Sequence, residues 1–251
     1  MPVKLDVDDD ASVRTCVAEV LKQAGTVDVL VNNAGVGIAG SVEMVPLERT
    51  RKMFETNFFG AVRMMQAVLP SMRERRSGAI VNVTSVMGHA TMGCHGFYAA
   101  TKFALAAVSE SLAIEISPFG VKVAIIEPGV ILTPIWNKAE ALMPEGHPYQ
   151  LAMGRLYRLF GAQMEGGTKP DVVAQAIYVA VQEGCTKLRY EVGADAEVIV
   201  AARDRMTAAE WAALFTEENE DRFVAKAEQA FGVDLCNPPS LHARKSRGNE
   251  R

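Results

Sequence analysis

Long apolar runs, paired cysteines and an excess of one charge are all missing from this 251-residue sequence. The four cysteines are scattered and form no CxxC pair, which argues against a disulfide framework or a zinc site and favours reduced thiols in a cytoplasmic protein. No run of about 18 apolar residues is present, so no membrane-spanning helix is expected. The opening MPVKLDVDDD lacks the apolar core of a signal peptide, so secretion is not expected either.

The charge balance and the histidines argue against two further classes. Lys and Arg number 26, Asp and Glu number 30, and the formal net charge is −4. A mildly acidic chain is a poor match for the phosphate backbone, so we expect no nucleic-acid partner. The histidines show no metal-ligand spacing, so we predict no metal site and interpret them by default as surface or loop residues: His89, His95, His147 and His242.

Short apolar runs alternate with segments of helical periodicity. The predicted strands are Val27–Val31, Ala79–Val83, Val121–Ile126 and a short last one at Tyr190–Val192. The first three are nearly continuous in apolar residues, which is typical of strands buried on both faces of a parallel sheet. The predicted helices are Asp10–Ala24, Glu48–Leu69, Tyr98–Ile116 and Asp171–Gln182. This alternation predicts an α/β fold, a doubly wound parallel sheet covered by helices.

Two segments depart from this alternation, in a chain that we otherwise predict to be one domain over residues 1–236. Residues 131–169 are long and irregular in pattern, and such segments are usually functional lids or poorly ordered. Their bulky apolar side chains either pack the lid onto the sheet or line a lipophilic pocket: Trp136, Leu142, Met143, Met153, Leu156, Tyr157, Leu159 and Phe160. Residues 237–251 are polar and basic, and we predict a disordered tail, with a basic interaction tail as the alternative.

Polar residues at the carboxyl ends of the predicted strands are the first site candidates, because ligands of open α/β sheets bind there. They are Asn32-Asn33-Ala34-Gly35, Ser85 and Pro128-Gly129. Asn57 adds an amide on the apolar stripe of its helix, and a buried amide must be hydrogen-bonded. Either a neighbouring backbone satisfies this amide, or Asn57 opens the helix locally and holds a water.

Tyr98 and Lys102 are four residues apart and therefore project from one face of a predicted helix. A YxxxK pair alone is a weak signal, but Ser85 ends a buried strand thirteen residues earlier and could be brought beside Tyr98. A phenol next to an ammonium is expected to have a depressed pKa and could act as a general acid or base. Proton transfer at an alcohol oxygen is the natural complement of hydride transfer by a nicotinamide cofactor.

Taken together and in order, these motifs resemble the short-chain dehydrogenase/reductase family. They are Asn32-Asn33-Ala34-Gly35, Asn57, Ser85, Tyr98xxxLys102, and Pro128-Gly129 followed by Thr133. The resemblance is close over about residues 3–135 and looser beyond, and it is nearest to hydroxysteroid and retinol dehydrogenase-like members. It implies a Rossmann-like fold, NAD or NADP as cofactor, and an alcohol or ketone as substrate. It also implies a homodimer or homotetramer.

The same resemblance implies roles for single residues. Tyr98 would be the catalytic acid or base, and Lys102 would lower its pKa and bind the nicotinamide ribose. Ser85 would orient the substrate oxygen, and Asn57 would hold the water of a proton relay. The cofactor-binding residues would be Asp6 at the adenine ring, Asn32, Ala34 and Gly35 beside the cofactor, Tyr98 and Lys102, and Pro128, Gly129 and Thr133 on the nicotinamide side.

One family feature is missing from the printed sequence. Members begin with a strand and a glycine-rich turn, TGxxxGxG, which lets the pyrophosphate approach a helix N-terminus, and no such turn occurs here. Relative to the family pattern the chain is expected to be N-terminally truncated by two βα units. Two functions therefore stay open: an oxidoreductase acting on a hydrophobic alcohol or ketone, or a non-catalytic remnant that dimerises or binds ligands.

Overall fold

The computed structural model describes residues 1–138, 140–142, 146–165 and 167–235. The strands are β1 (Val29–Asn32), β2 (Ile38–Ala39), β3 (Gly78–Val83), β4 (Val121–Pro128), β5 (Glu140–Ala141) and β6 (Arg189–Val192). The α-helices are α1 (Asp10–Ala24), α2 (Leu47–Phe54), α3 (Gly60–Arg75), α4 (Gly96–Ile116), α5 (Ile135–Lys138), α6 (Gln150–Glu165), α7 (Pro170–Gln182), α8 (Ala194–Arg205), α9 (Ala208–Phe215) and α10 (Glu220–Phe231). The expected disordered tail at 237–251 and Met143 lie outside the described residues.

Four strands form the main sheet in the order β1-β3-β4-β6, and every neighbouring pair is parallel. One face is covered by α1, α3 and α4, whose apolar stripes bury Val17, Val68 and Leu105 against Leu30 and Ile80. The other face is covered by α7, which packs on β4 and β6. Helices on both faces of a parallel sheet confirm the predicted α/β class. The strands β2 and β5 pair separately, outside this sheet.

The strand β1 lies at one edge of the described sheet. Val29 and Val31, on the face opposite α3, are 38% and 40% exposed. Asn32 is buried on the other face, where its Nδ2 donates to Asn82 Oδ1 at 2.8 Å. Asn82 in turn donates to Ser109 Oγ at 2.7 Å, so buried polar groups join β1, β3 and α4. These mutual hydrogen bonds satisfy amides that would be costly to bury alone.

Two predicted elements differ from the observed ones. The helix expected over Glu48–Leu69 is interrupted by a π-helical turn, Glu55–Phe59, and the helix after it runs on to Arg75. The segment 131–169, expected to be irregular, contains the 16-residue helix α6. Its apolar residues recur at helical spacing and are buried: Met153, Leu156, Leu159 and Phe160. The Pro and Gly residues before and after this pattern obscured it.

The chain after β6 had no predicted element and forms α8, α9 and α10. Their aromatic side chains pack edge-on, with Trp211 contacting Phe215 and Phe231 at centroid distances of 5.4 and 5.8 Å. These helices and α6 bury one continuous apolar cluster. The lid segment is therefore anchored to the C-terminal helices as well as to the sheet.

By length and composition alone, one helical stretch of the described chain could cross a membrane. It is Gly96–Phe119, which contains α4, and its mean hydropathy reaches 1.2. The expectation from apolar runs had not identified it, because Lys102 and Glu110 interrupt the run. In the structure α4 packs on β3 and β4 and buries Leu105, Leu112 and Ile116 there. A core helix passes the same test of length and composition.

Candidate active site

Ser85 and Tyr98 meet at the carboxyl end of β3. Ser85 follows this strand and begins a short 3₁₀ turn, where its Oγ accepts the N–H of Met87 at 3.1 Å. The loop then returns to α4, and Tyr98 lies in the first turn of that helix. The Ser85 hydroxyl lies near enough to the Tyr98 hydroxyl to lower its pKa. The sequence order strand, loop, helix thus brings together the two residues singled out for proton transfer.

Burial dominates the chemistry of the Tyr98 hydroxyl. It raises the pKa of Tyr98 to about 12, while the hydrogen bond from Ser85 lowers it. The expectation of a depressed pKa is therefore wrong for this structure, because loss of water disfavours the phenolate. At neutral pH Tyr98 is protonated and can donate its proton.

His95 stacks on Tyr98 and was missed by sequence reasoning. The two rings are 4.6 Å apart and inclined by 16°, and the edge of Phe160 from α6 approaches His95 at 5.4 Å. Burial lowers the pKa of His95 to about 4, so the imidazole is neutral near pH 7. Nδ1 is shut off from solvent and has no hydrogen-bond partner among the described residues. His95 is the loop residue that immediately precedes α4, as the default interpretation expected. Its stacking on Tyr98 was not expected, and only its position three residues before Tyr98 could have indicated it.

Lys102 lies one helical turn after Tyr98 and points back into the site. Its Nζ donates to the carbonyl of Val83 at 3.1 Å and lies 5.7 Å from the centre of the Tyr98 ring. Burial lowers the pKa of Lys102 to about 8. The ammonium is therefore charged below about pH 8 and loses its proton above it.

Asn57 lies in the π-helical turn. The two interpretations of this residue, an amide satisfied by a neighbouring backbone and an amide that opens the helix to hold a water, are each met in part. Its Oδ1 accepts the N–H of Val36 at 2.8 Å and its Nδ2 donates to the Val36 carbonyl at 2.9 Å. Nδ2 also donates to Thr101 Oγ1 at 3.0 Å, which links this turn to α4. The backbone thus satisfies the amide, and the helix is locally opened as the sharper alternative expected. π-helical turns of this kind frequently occur at functional sites.

The loop after β1 forms an open wall beside these residues. Ala34 is exposed, and a Cβ at Gly35 would lie 3.4 Å from Asn57 Oδ1 and 3.7 Å from Lys102 Nζ. Gly35 therefore places backbone without a side chain beside the Lys102 ammonium, a donor that suits the hydroxyls of the nicotinamide ribose. The residues present therefore fit that half of NAD or NADP. For the pyrophosphate half, the printed sequence offers no glycine-rich turn.

The remaining predicted cofactor residues lie on two sides. Pro128 and Gly129 end β4 next to the site, and the Pro128 carbonyl lies 3.4 Å from Ser85 Oγ. Asp6 is exposed in the turn before α1, where its Oδ1 accepts the N–H of Asp8. Thr133 lies in a bend, where its backbone N–H donates to the Ile131 carbonyl at 2.9 Å. No hydrogen bond among the described residues joins Asp6 or Thr133 to the catalytic cluster, so their binding roles stay predictions.

The apolar side chains of the lid segment separate into two groups. Met153, Leu156 and Leu159 are buried in the core, so they pack the lid rather than line a pocket. Trp136 and Tyr157 are only partly buried, and the Trp136 ring meets Phe160 edge-on at 5.6 Å. An aromatic wall, defined here as Trp136, Phe160 and His95, therefore extends from the lid to Tyr98. Over the described residues no group of three or more His, Cys, Asp or Glu is arranged to hold a metal ion.

Comparisons with known proteins agree with this arrangement. The family model described as short chain dehydrogenase matches residues 1–143. The chain is 35% identical over 199 residues to 3-ketodihydrosphingosine reductase from Bacteroides thetaiotaomicron, covering 78% of this chain and 74% of that one. The chain belongs to the short-chain dehydrogenase/reductase family. Such enzymes use NAD or NADP, and the choice between them is open.

Two further relationships define the extent of the match. Over 135 residues the chain is 47% identical to retinol dehydrogenase 8 from Bos taurus, which is 54% of this chain but 43% of that protein. A solved short-chain dehydrogenase from Streptomyces avermitilis has a TM-score of 0.74 at 38% identity, covering 84% of this chain and 76% of that one. A structure of ElxO with NADP bound has a TM-score of 0.59 at 28% identity, covering 70% and 68%. The chain thus spans less than half of the retinol dehydrogenase.

Proposed function

We propose that this protein reduces a ketone to a secondary alcohol with NADH or NADPH. The observation that carries the proposal is the placement of Ser85 beside the Tyr98 hydroxyl, whose pKa it lowers, with Lys102 Nζ 5.7 Å from the centre of the Tyr98 ring. The cofactor, when bound, supplies the hydride that reaches the carbonyl carbon. Tyr98 donates its proton to the carbonyl oxygen, and Ser85 donates a hydrogen bond that orients this oxygen. Because the pKa of Tyr98 is raised to about 12, the acid role in reduction is favoured at neutral pH.

The aromatic wall supports an apolar substrate. The rings form a series of contacts in which Trp136 meets Phe160, Phe160 meets His95, and His95 stacks on Tyr98. The partly buried Trp136 and His95 are the members that could face a ligand, and aromatic surface recognises hydrocarbon better than sugar. The relatives named for retinol and for 3-ketodihydrosphingosine are consistent with this chemistry. We therefore infer a hydrophobic ketone or alcohol as the substrate class.

Substrate preference tests this proposal at saturating cofactor. We expect kcat/KM for a steroid-like or long-chain ketone to exceed that for a small polar ketone by about 70-fold for every ~100 Å² of additional apolar surface buried, since that burial contributes about 2.5 kcal/mol. Trp136→Ala should reduce the preference, whereas Tyr178→Ala, which removes an exposed ring on α7, should leave it unchanged. Equal kcat/KM values for the two ketones in the unmodified protein would refute the apolar pocket.

A ligand-binding protein without turnover is the second candidate. Binding of the ketone without any oxidation of NADH or NADPH, even at millimolar cofactor, would decide for this candidate.

We also propose a cytoplasmic location for the protein. The three cysteines that the structure describes are free, which is compatible with a reducing compartment.

We further propose a homodimer that buries the outward face of α4. This face carries Phe103 and Ile114, which are 42% and 78% exposed, and exposed apolar patches mark interaction sites. Ile114→Glu should convert the dimer to a monomer in light scattering after gel filtration, because a charge would be buried in the interface. Val42→Glu, at a residue 69% exposed outside α4, is the matched control. A monomeric unmodified protein would contradict the proposal.

A further inference from the structure

Asp195 lies outside the catalytic cluster, in the first turn of α8, and its carboxylate reaches the loop that follows β4. Its Oδ2 accepts the N–H of Val130 at 2.5 Å. Burial raises the pKa of this carboxyl above its usual value, and the hydrogen bond from Val130 partly offsets that rise. The N–H of Ala196 donates instead to the Gly193 carbonyl at 3.0 Å. One short hydrogen bond to a carboxylate therefore ties the loop after β4 to α8, and hydrogen bonds to ionised acceptors are stronger than neutral ones.

The space around the carboxylate is left by two glycines. A Cβ at Gly129 would overlap both carboxylate oxygens, and a Cβ at Gly193 would lie 2.7 Å from Oδ1. Gly193 also has φ +108°, which other residues rarely adopt. The loop backbone thus packs directly on the carboxylate with no side chain between them.

A short series of contacts runs from this loop to the catalytic hydroxyls. The Gly129 amide donates to the Val192 carbonyl at 3.1 Å, which holds the loop on β6. The carbonyl of Pro128 lies 3.4 Å from Ser85 Oγ, and the Ser85 hydroxyl acts in turn on the hydroxyl of Tyr98. A movement of the loop that carried Pro128 with it would change the distance between the Pro128 carbonyl and Ser85 Oγ.

We propose that Asp195 is a positioning residue, which holds the Pro128–Val130 loop at the distance from Ser85 that leaves the Ser85 hydroxyl free for a substrate oxygen. The inference rests on the proposed function. Ser85 has one proton to donate, and at 3.4 Å the Pro128 carbonyl is a weak competitor for it. A loop released from Asp195 either approaches and captures this proton or withdraws and widens the site. The alternative is that Asp195 only caps the N-terminus of α8.

NMR spectroscopy of the backbone amides and carbonyls, on the full chain, distinguishes a loop-positioning role of Asp195 from a helix cap. In isotope-labelled Asp195→Ala we expect two resonances to shift. They are the carbonyl resonance of Pro128 and the amide resonance of Met87, whose N–H donates to Ser85 Oγ. Hydrogen exchange at Val130 should be faster by about tenfold, as expected when one hydrogen bond is lost. Asp195→Asn keeps one acceptor oxygen and should show smaller changes in the same places. Glu197→Gln, an exposed acid in the same turn of α8, should show none of them.

Changes confined to residues 193–197 in both Asp195 variants would overturn the proposal in favour of a helix cap. In turnover with NADPH and an apolar ketone, we expect kcat to fall by up to about 10²-fold in Asp195→Ala, the effect of a displacement near 1 Å. Asp195→Asn should lose less, and KM should change little. Unchanged kcat in both variants overturns the proposal. If the unmodified protein shows no turnover at all, the proposed function fails, and the spectroscopic comparison still decides the role of Asp195.

Discussion

Replacing Tyr98 with Phe should reduce turnover by about 10²- to 10⁴-fold, the usual contribution of general acid catalysis. The change removes only the hydroxyl, so the ring can still stack on His95 at the observed 4.6 Å. Loss of the hydrogen bond to Ser85 should lower the free energy of unfolding by only about 1 kcal/mol. The measurement is kcat for reduction of an apolar ketone, followed through the absorbance of NADH or NADPH.

Tyr178→Phe is the matched control for this experiment. Tyr178 lies on α7 and is 60% exposed, so its hydroxyl can be removed without touching the catalytic cluster. Binding of the reduced cofactor, measured by its fluorescence, should be retained in both variants. Near-normal kcat in Tyr98→Phe would exclude Tyr98 as the proton donor.

The positions of three strands of the sheet could be predicted because local and tertiary preferences agree there. The apolar runs at β3 and β4 are buried, the run at β1 is buried on one face only, and all three strands lie within two residues of their predicted bounds. The helix α1 was predicted with its observed bounds, since Asp9 caps it and Gly25 ends it with φ +79°. Periodicity and capping residues point to the same structure in these segments.

Other elements could not be predicted because their partners are distant in sequence. The aromatic residues of α9 and α10 become a core only when they meet α6, more than forty residues earlier. The π-helical turn at Asn57 depends on Val36 and Thr101, which come from other elements. A helical period alone favoured an unbroken helix there.

The candidate site shows the same division. Ser85, Tyr98 and Lys102 could be selected from their spacing, and the structure places them side by side. The direction of the Tyr98 pKa shift could not be predicted, because it depends on how deeply the hydroxyl is buried, and residue spacing does not reveal burial. Asp195 was also missed, since its contact with Val130 spans 65 residues.

Replacing Lys102 with Met should remove most of the turnover while leaving the fold at least as stable near neutral pH. Burial lowers the pKa of Lys102 from 10.5 to about 8, a difference equivalent to about 3 kcal/mol. Because the folded state binds this proton less tightly than the unfolded state, stability should be lower below about pH 8 and rise towards pH 10.5. The Met variant should lose this rise. Urea unfolding at several pH values measures it.

The pH dependence of turnover gives the decisive comparison for Lys102. The ammonium stabilises negative charge that develops on Tyr98 as it releases its proton, so its removal should reduce kcat/KM by about 10- to 10³-fold. In the unmodified protein kcat/KM should fall as pH rises through about 8, where Lys102 loses its charge. This decline should be absent from the Met variant and present in Lys22→Met, an exposed lysine on α1. A Met variant that kept both its turnover and the decline near pH 8 would show that another group titrates there and that Lys102 serves only to bond the Val83 carbonyl.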